Sequence, residues 1–311
     1  MDFKISLPTL RERIIVIGIT VLFFALTMMF IGVRSEHFIL VTAFLLLFFV
    51  GVKPRKLAVG LLPFFVFGIS YDWMRVYPNY MVNPIDVENL YNWEKMLFGI
   101  KTAEAILIPC EYFTKHHFAI ADFLSGVFYF GWVPVPVLFA LYLYTRKDRN
   151  MFLRFSMVFL LVNLLGFVGY YIYPAAPPWY AMNYGFEPVL ETHGNMAGLA
   201  RFDALVGFPL FDFIYGRNAN VFAAVPSLHS AYLVVVLFYA LKKKCNWIIV
   251  TTTIVFMVGI WFTAVYTSHH YIIDVLLGIL CALFGIALFE FVLMRTLWFL
   301  VFFNKYLHYI R

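Results

Sequence analysis

Charge is what this sequence has least of. Only 13% of its 311 residues are Asp, Glu, Lys or Arg, against about 25% in an ordinary soluble domain. So few charged groups exclude a soluble globular domain, a disordered chain and a nucleic-acid-binding surface. Cysteine is sparse too. Cys110, Cys245 and Cys281 stand far apart with no Cys-x-x-Cys pair, so the sequence offers neither a disulfide framework nor a zinc site. No segment repeats, which weighs against a transporter built from inverted halves.

What fills the chain instead is apolar: 63% of its residues, with 37 Phe among them. A membrane-crossing helix needs about 20 mostly apolar residues. Such runs occur at 14–33, 121–144, 155–173, 247–267 and 272–294, with shorter or interrupted ones at 38–52, 57–74 and 226–241. The reading is an all-α integral membrane protein with about eight transmembrane helices. No small-residue cleavage pattern follows the first run, so it is expected to be retained. The net charge of +6 then becomes a matter of position. With the N-terminus inside, sixteen of the 23 Lys and Arg residues fall on inside segments, including Lys53, Arg55 and Lys56 and the run Lys242, Lys243 and Lys244. That is the positive-inside pattern, and it places both termini on the cytoplasmic side. Two outside loops, 75–120 and 174–225, are too long to be plain connectors. The stretch 86–98 carries Val87, Leu90, Tyr91, Leu97 and Phe98 at helical spacing, predicting an amphipathic helix in the interface. A second short helix is expected near 196–206.

Ionisable groups at membrane depth are costly and therefore functional candidates. Two clusters qualify: His229 in VPSLHS (225–230), and His270 with Asp274 in SHHYIID (268–274). The four-residue spacing of His270 and Asp274 puts them on one helix face. The predicted topology brings His229 to that same membrane face, with each cluster at a helix N-terminus, where free N–H groups favour an anion such as phosphate. An imidazole whose far nitrogen is held by a carboxylate can attack phosphorus, so Asp274 would orient His270 as nucleophile. His229 would protonate the leaving alcohol and deprotonate the incoming one. Arg201 and Arg217 lie in the adjacent loop as donors to the oxyanion, while His269 is expected to be structural. Near these motifs Asp274, Asp203, Asp212 and Asp72 do not make the convergent carboxylate set that binds Mg²⁺, and neither a metal nor another cofactor is expected.

Pro226, Ser227 and His229, followed by His270 and Asp274, resemble the type 2 phosphatidic acid phosphatase superfamily. The resemblance implies a helical bundle with a six-helix core and a phosphohistidine mechanism. On that reading residues 1–56 form two extra N-terminal helices and 57–311 the catalytic core. APPWY (176–180), AGLARFD (197–203), VPSLHS and SHHYIIDV (268–275) together look like the inositol phosphorylceramide synthases of fungi. This narrower resemblance covers about 170–290, and its motifs add Tyr180, Asp203 and Ser227 to Arg201 and Arg217 as substrate-binding residues. It implies transfer of phosphoinositol from phosphatidylinositol to ceramide, releasing diacylglycerol. Those two lipids and the membrane are then the partners, and the sequence does not bear on an accessory subunit. The phosphatases' Lys-x6-Arg-Pro element is missing, and Thr263 and Ala264 stand where their Ser-Arg would fall. Fewer cations suit a singly charged phosphodiester better than a phosphomonoester. The alternatives are a lipid phosphatase with water as acceptor and, lower, a transporter with a His/Asp proton relay. A bacterial inner membrane with a periplasmic site is the expected setting, with a Golgi-type membrane and lumenal site as the alternative.

Overall fold

A computed structural model describes residues 7–216 and 220–311. Helix α1 (Leu10–Phe30) opens on a reciprocal cap: the Thr9 hydroxyl accepts the Glu12 N–H, and the Glu12 carboxylate accepts the Thr9 N–H. Only Thr27 of α1 is buried, so its apolar flanks suit contact with lipid. α2 (Ser35–Val50) follows it. The run 57–74, expected as one span, is divided between α3 (Val52–Gly60) and α4 (Leu62–Trp73). Pro63 in the first turn of α4 has no N–H to continue the α3 ladder.

The first long loop folds into α5 (Glu88–Phe98), a ribbon of β1 (Ile100–Lys101) and β2 (Ile106–Leu107), and α6 (Pro109–Lys115). The expected span 121–144 is also broken: α7 (Ala119–Phe130) and α8 (Pro134–Thr145) meet at 47°, where Pro134 and Pro136 interrupt the ladder. α9 (Arg149–Ile172) is an unbroken helix of 24 residues. The second long loop carries α10 (Pro178–Tyr184), α11 (Ala200–Val206) and α12 (Leu210–Tyr215) before α13 (Leu228–Lys242), α14 (Trp247–Tyr266) and α15 (Ile272–Ala287). A final helix, α16 (Leu297–Ile310), stands where the sequence reading had only an inside tail. Its buried Phe299, Phe303, Leu307 and Ile310 follow a helical period.

Among the described residues four helices are long and apolar enough to cross a membrane: α1, α9, α14 and the continuous stretch Ile272–Arg295. The bent pair α7/α8 makes a fifth, and α2 and α13 are apolar but shorter. α13 is the centre of the bundle, packed against α9, α14 and α15. Its Ala231, Val235 and Tyr239 are fully enclosed, as are Phe152, Phe155 and Val158 of α9. The enclosed Asn163 is paired: the Tyr232 hydroxyl donates to Asn163 Oδ1 at 2.7 Å, and Asn163 Nδ2 to the Phe159 carbonyl at 2.8 Å. Gly278 lets α15 lie against the start of α13, because a Cβ there would sit 2.1 Å from the Ser227 carbonyl oxygen.

The two long loops are stitched together over one end of this bundle. Asp86 N–H donates to the Pro174 carbonyl at 2.8 Å, Ala176 N–H to the Asp86 carbonyl at 2.9 Å, and Ala175 N–H to the Phe222 carbonyl at 3.0 Å. Residues 86, 175 and 223 therefore run side by side as a short ladder.

Candidate active site

His229 sits in the first turn of α13, Asp274 in the first turn of α15, and His270 in the turn that joins α14 to α15. That turn is tight. Ser268 takes a left-handed φ of 62°, and the N–H groups of His269 and His270 both donate to the Ala264 carbonyl. The second long loop clamps the turn from outside: Trp179 N–H donates to the Ser268 carbonyl and Gly198 N–H to the Thr267 carbonyl, each at 3.0 Å. A Cβ on Gly198 would lie 2.7 Å from the Thr267 Cα, so this approach requires glycine.

The three predicted catalytic side chains come together in a line. His229 Nδ1 is 3.1 Å from His270 Nε2, and His270 Nδ1 is 3.4 Å from Asp274 Oδ2. Asp274 is fully enclosed; its Oδ2 also accepts the Tyr271 N–H at 3.0 Å, and its carbonyl accepts the Ser227 N–H at 3.0 Å. One residue thus anchors both motifs. Burial pushes the His270 imidazole down to about 4, so the ring is neutral at physiological pH and its lone pair is free to act as a nucleophile. A cavity of about 180 Å³ opens beside the two histidines. Its walls are largely aromatic, running from Tyr129, Trp132 and Tyr215 to Phe67 and Phe167. The Tyr129 ring stacks on His229 with centroids 5.0 Å apart, and Trp132 meets it edge-on at 4.8 Å.

One expectation is corrected. Both helix N-termini were expected to be open to an anion, but that of α15 is taken by the protein itself. Glu94 of α5, with no exposed surface, accepts the N–H of Ile272 at 2.9 Å and of Ile273 at 3.2 Å. Burial, with Asp274 nearby, raises its carboxyl to about 7 against those two bonds. The signal was present in the sequence: Glu94 falls four residues after Leu90, in the apolar stripe of the predicted interfacial helix. Cys110 of α6 also touches the turn, its Sγ lying 3.5 Å from the His270 carbonyl oxygen.

The other predicted contacts are placed as follows. Arg201 Nε donates to Asp122 Oδ1 at 2.6 Å, and its guanidinium lies over the Tyr266 ring at 5.1 Å. It pairs with Asp122 rather than with Asp203 and does not line the cavity. Asp203 caps α12, accepting the N–H groups of Phe211 and Asp212. The Tyr180 hydroxyl bridges Glu187 and Val189 of its own loop. Ser227 is buried, and its Oγ accepts from Ser230 at 3.0 Å. Arg217 lies outside the described residues. Among those residues no group of three or more His, Cys, Asp or Glu side chains is placed to hold a metal ion.

Two histidines, His229 and His270, that face one cavity, with Asp274 buried behind His270, define a class. Residues 97–288 match the PAP2 superfamily, and the chain belongs to that family. It is 59% identical to the phosphoinositol dihydroceramide synthase of Bacteroides thetaiotaomicron, over 98% of this chain and all of that protein. It is 27% identical to the inositol phosphorylceramide synthase catalytic subunit AUR1 of Saccharomyces cerevisiae, over 70% of this chain and 52% of the yeast protein. With the inositol phosphorylceramide synthase of Candida albicans the identity is 31%, over 53% of this chain and 34% of that protein. The chain thus spans about half or less of these two fungal relatives, and the whole of the bacterial one. No solved structure matches it.

Proposed function

We propose that this protein transfers phosphoinositol from phosphatidylinositol to the primary hydroxyl of a ceramide-type lipid, releasing diacylglycerol. The observation that carries the reading is the His229–His270–Asp274 line at the wall of an aromatic cavity, in a chain 59% identical throughout to a phosphoinositol dihydroceramide synthase. With Asp274 holding the Nδ1 proton, His270 Nε2 carries the lone pair that attacks phosphorus. The bond from phosphorus to the diacylglycerol oxygen breaks, and His229, carried as imidazolium beside the anionic phosphodiester, gives its Nδ1 proton to that oxygen and is left neutral. In the second half His229 takes the proton of the ceramide hydroxyl, whose oxygen displaces His270 from phosphorus. These two nitrogens are in hydrogen-bond contact at 3.1 Å, so the phosphodiester must separate them, with His270 attacking phosphorus on one side and His229 protonating the leaving oxygen on the other. The N-terminus of α13 remains as a backbone donor for the singly charged phosphoryl group, since that of α15 is used by Glu94.

The same reading gives residues 1–56 as two helices beside a six-helix core in an eight-span bundle. Both termini would be cytoplasmic and the site would open on the opposite face of a bacterial inner membrane. Lys53, Arg55 and Lys56 at the start of α3, and Lys242, Lys243 and Lys244 at the end of α13 and just beyond it, support this orientation. The deciding assay uses purified protein, fluorescent ceramide or dihydroceramide, and a panel of phospholipid donors. Ceramide-dependent formation of an inositol-containing product supports the proposal. Release of inorganic phosphate from phosphatidic acid with no requirement for ceramide would replace it with the phosphatase reading.

A further inference from the structure

Three histidines, not two, line the cavity: His229, His269 and His270. His269, which the sequence reading set aside as structural, is 5% exposed, and its two ring nitrogens have different surroundings. Nδ1 lies 3.0 Å from the Thr267 hydroxyl oxygen and 3.2 Å from the Thr267 carbonyl oxygen. The Thr267 hydroxyl already gives its hydrogen to the Thr263 carbonyl at 2.7 Å, so its oxygen can only accept, and a carbonyl has no hydrogen to give. The imidazole proton therefore sits on Nδ1, and Nε2 presents a bare lone pair. Burial, with His270 and His229 close by, holds the ring far below the ordinary histidine value, so this neutral tautomer persists at physiological pH. Nε2 is buried and has no hydrogen-bond partner among the described residues. Folded proteins leave few such acceptors without a donor, and one on the wall of a cavity calls for a donor supplied from within it.

We propose that His269 Nε2 is the acceptor for a hydroxyl group of a lipid substrate in the cavity, which makes His269 a substrate-binding residue. This rests on the phosphotransfer reading above. The ligand chemistry required is a neutral O–H donor, and the reaction brings two: the polyol headgroup of the phosphodiester donor and the primary alcohol of the ceramide. A quaternary ammonium headgroup has no hydrogen to offer at this position, so the same contact disfavours choline lipids. No proton changes hands at His269; it orients one substrate relative to His229 and His270 on the neighbouring wall.

The two ends of the ring can be tested separately. In His269→Asn the shorter amide keeps a donor where Nδ1 meets Thr267 and loses the far acceptor. In His269→Gln the amide reaches the Nε2 position and loses the Thr267 contact. If His269 only braced the turn, Asn would preserve function and Gln would impair it; substrate binding predicts the reverse. The experiment measures KM for phosphatidylinositol and for fluorescent ceramide, with kcat and unfolding temperature, on the purified full-length protein. The expected result is a KM raised about tenfold or more for one lipid in His269→Asn at near-normal kcat and unfolding temperature, most of it recovered in His269→Gln. A rise for phosphatidylinositol assigns the headgroup hydroxyl, and a rise for ceramide assigns the acceptor alcohol. Wild-type KM values for both lipids in His269→Asn would overturn the assignment, as would a His269→Gln variant worse than Asn. If the unsubstituted protein makes no inositol-containing product, the phosphotransfer reading itself fails, a result distinct from either of these.

Discussion

Among the described residues two His–Asp pairs have a buried histidine, and they are built in opposite ways. In the first, His37 Nε2 is 2.8 Å from Asp72 Oδ2, and the same carboxylate is bound by Arg34 and, at 3.1 Å, by Arg75. The other ring nitrogen of His37 accepts the Arg34 N–H at 3.0 Å. Each ring nitrogen and each carboxylate oxygen is thus engaged. In the second, His270 and Asp274 are held at 3.4 Å with no Lys or Arg bonded to either among the described residues. There His270 Nε2 faces another histidine, and Asp274 Oδ1 has no hydrogen-bond partner. A pair whose capacity is filled by cations is a brace between α2 and α4. A pair left without cations and partly unfilled can take part in a reaction. Residue type does not separate them; their partners do.

Substitution should break this symmetry most plainly at the second pair. His270→Ala is expected to lower transfer by about 10⁴-fold or more, because no other group in the line can form the covalent intermediate. Asp274→Asn and His229→Ala should each cost about 10²–10⁴-fold, the first through a misoriented imidazole and the second through loss of the proton donor. Turnover of fluorescent ceramide by the purified variants measures all three. Substantial activity in His270→Ala would sink the nucleophile assignment.

Glu94 ranks next. It reaches the reacting pair only through the backbone of α15, so it is a positioning residue. Glu94→Ala leaves two buried N–H groups without a partner and should cost about 1–3 kcal/mol of stability, with a kcat lowered about ten- to a hundredfold by displacement of His270. Glu94→Gln separates charge from shape. The carboxyl is raised from its ordinary 4.5 to about 7 by burial, so the folded protein holds a proton that the unfolded chain releases. The stabilisation is complete below pH 4.5 and is lost as pH rises to about 7. Thermal unfolding of the wild type should therefore fall across that window relative to Glu94→Gln, which has no such titration. Parallel pH profiles for the two proteins would remove Glu94 from this account.

The first pair supplies the contrast. His37→Ala and Asp72→Asn should lower the unfolding temperature, since each strands charged groups in a network, and leave turnover within about threefold because the pair lies outside the cavity. If Asp72→Asn abolished transfer in a protein that remained folded, partner counting would have failed as a guide to function.

How far the sequence could be read follows the same division. His229, His270 and Asp274 were legible because ionisable residues at the ends of apolar runs are few and their spacing is helical. The amphipathic α5 and the short α11 were legible from local pattern as well, whereas the breaks near Pro63 and Pro134 were not, because each run reads as one continuous apolar span. What was not legible is who pairs with whom. Arg201 looked free to meet phosphate or its neighbour Asp203, but Asp122, 79 residues away, holds it. The N-terminus of α15 looked open, but Glu94 fills it from 178 residues away. His269 looked like filler until the Thr263–Thr267 hydrogen bond fixed its tautomer. Such pairings depend on tertiary approach, which no local period encodes.

The smallest expected effect is none at all, and it tests the same idea of filled and unfilled partners. A divalent cation beside a phosphate needs several carboxylate oxygens converging on it. Here the acidic side chains near the site are already engaged by the protein. Asp122 is bound by Arg201 and the Tyr266 hydroxyl, Asp203 by the N–H groups of Phe211 and Asp212, and Glu94 by those of Ile272 and Ile273. Asp274 keeps one buried unpartnered oxygen, and a single carboxylate cannot make a Mg²⁺ site. Charge neutralisation must then come from backbone dipoles and the two histidines, which is enough for a phosphodiester bearing one negative charge. Transfer in excess EDTA should equal transfer in added Mg²⁺. A strict requirement for the metal would mean that one of these filled carboxylates lets go of its partner when substrate binds.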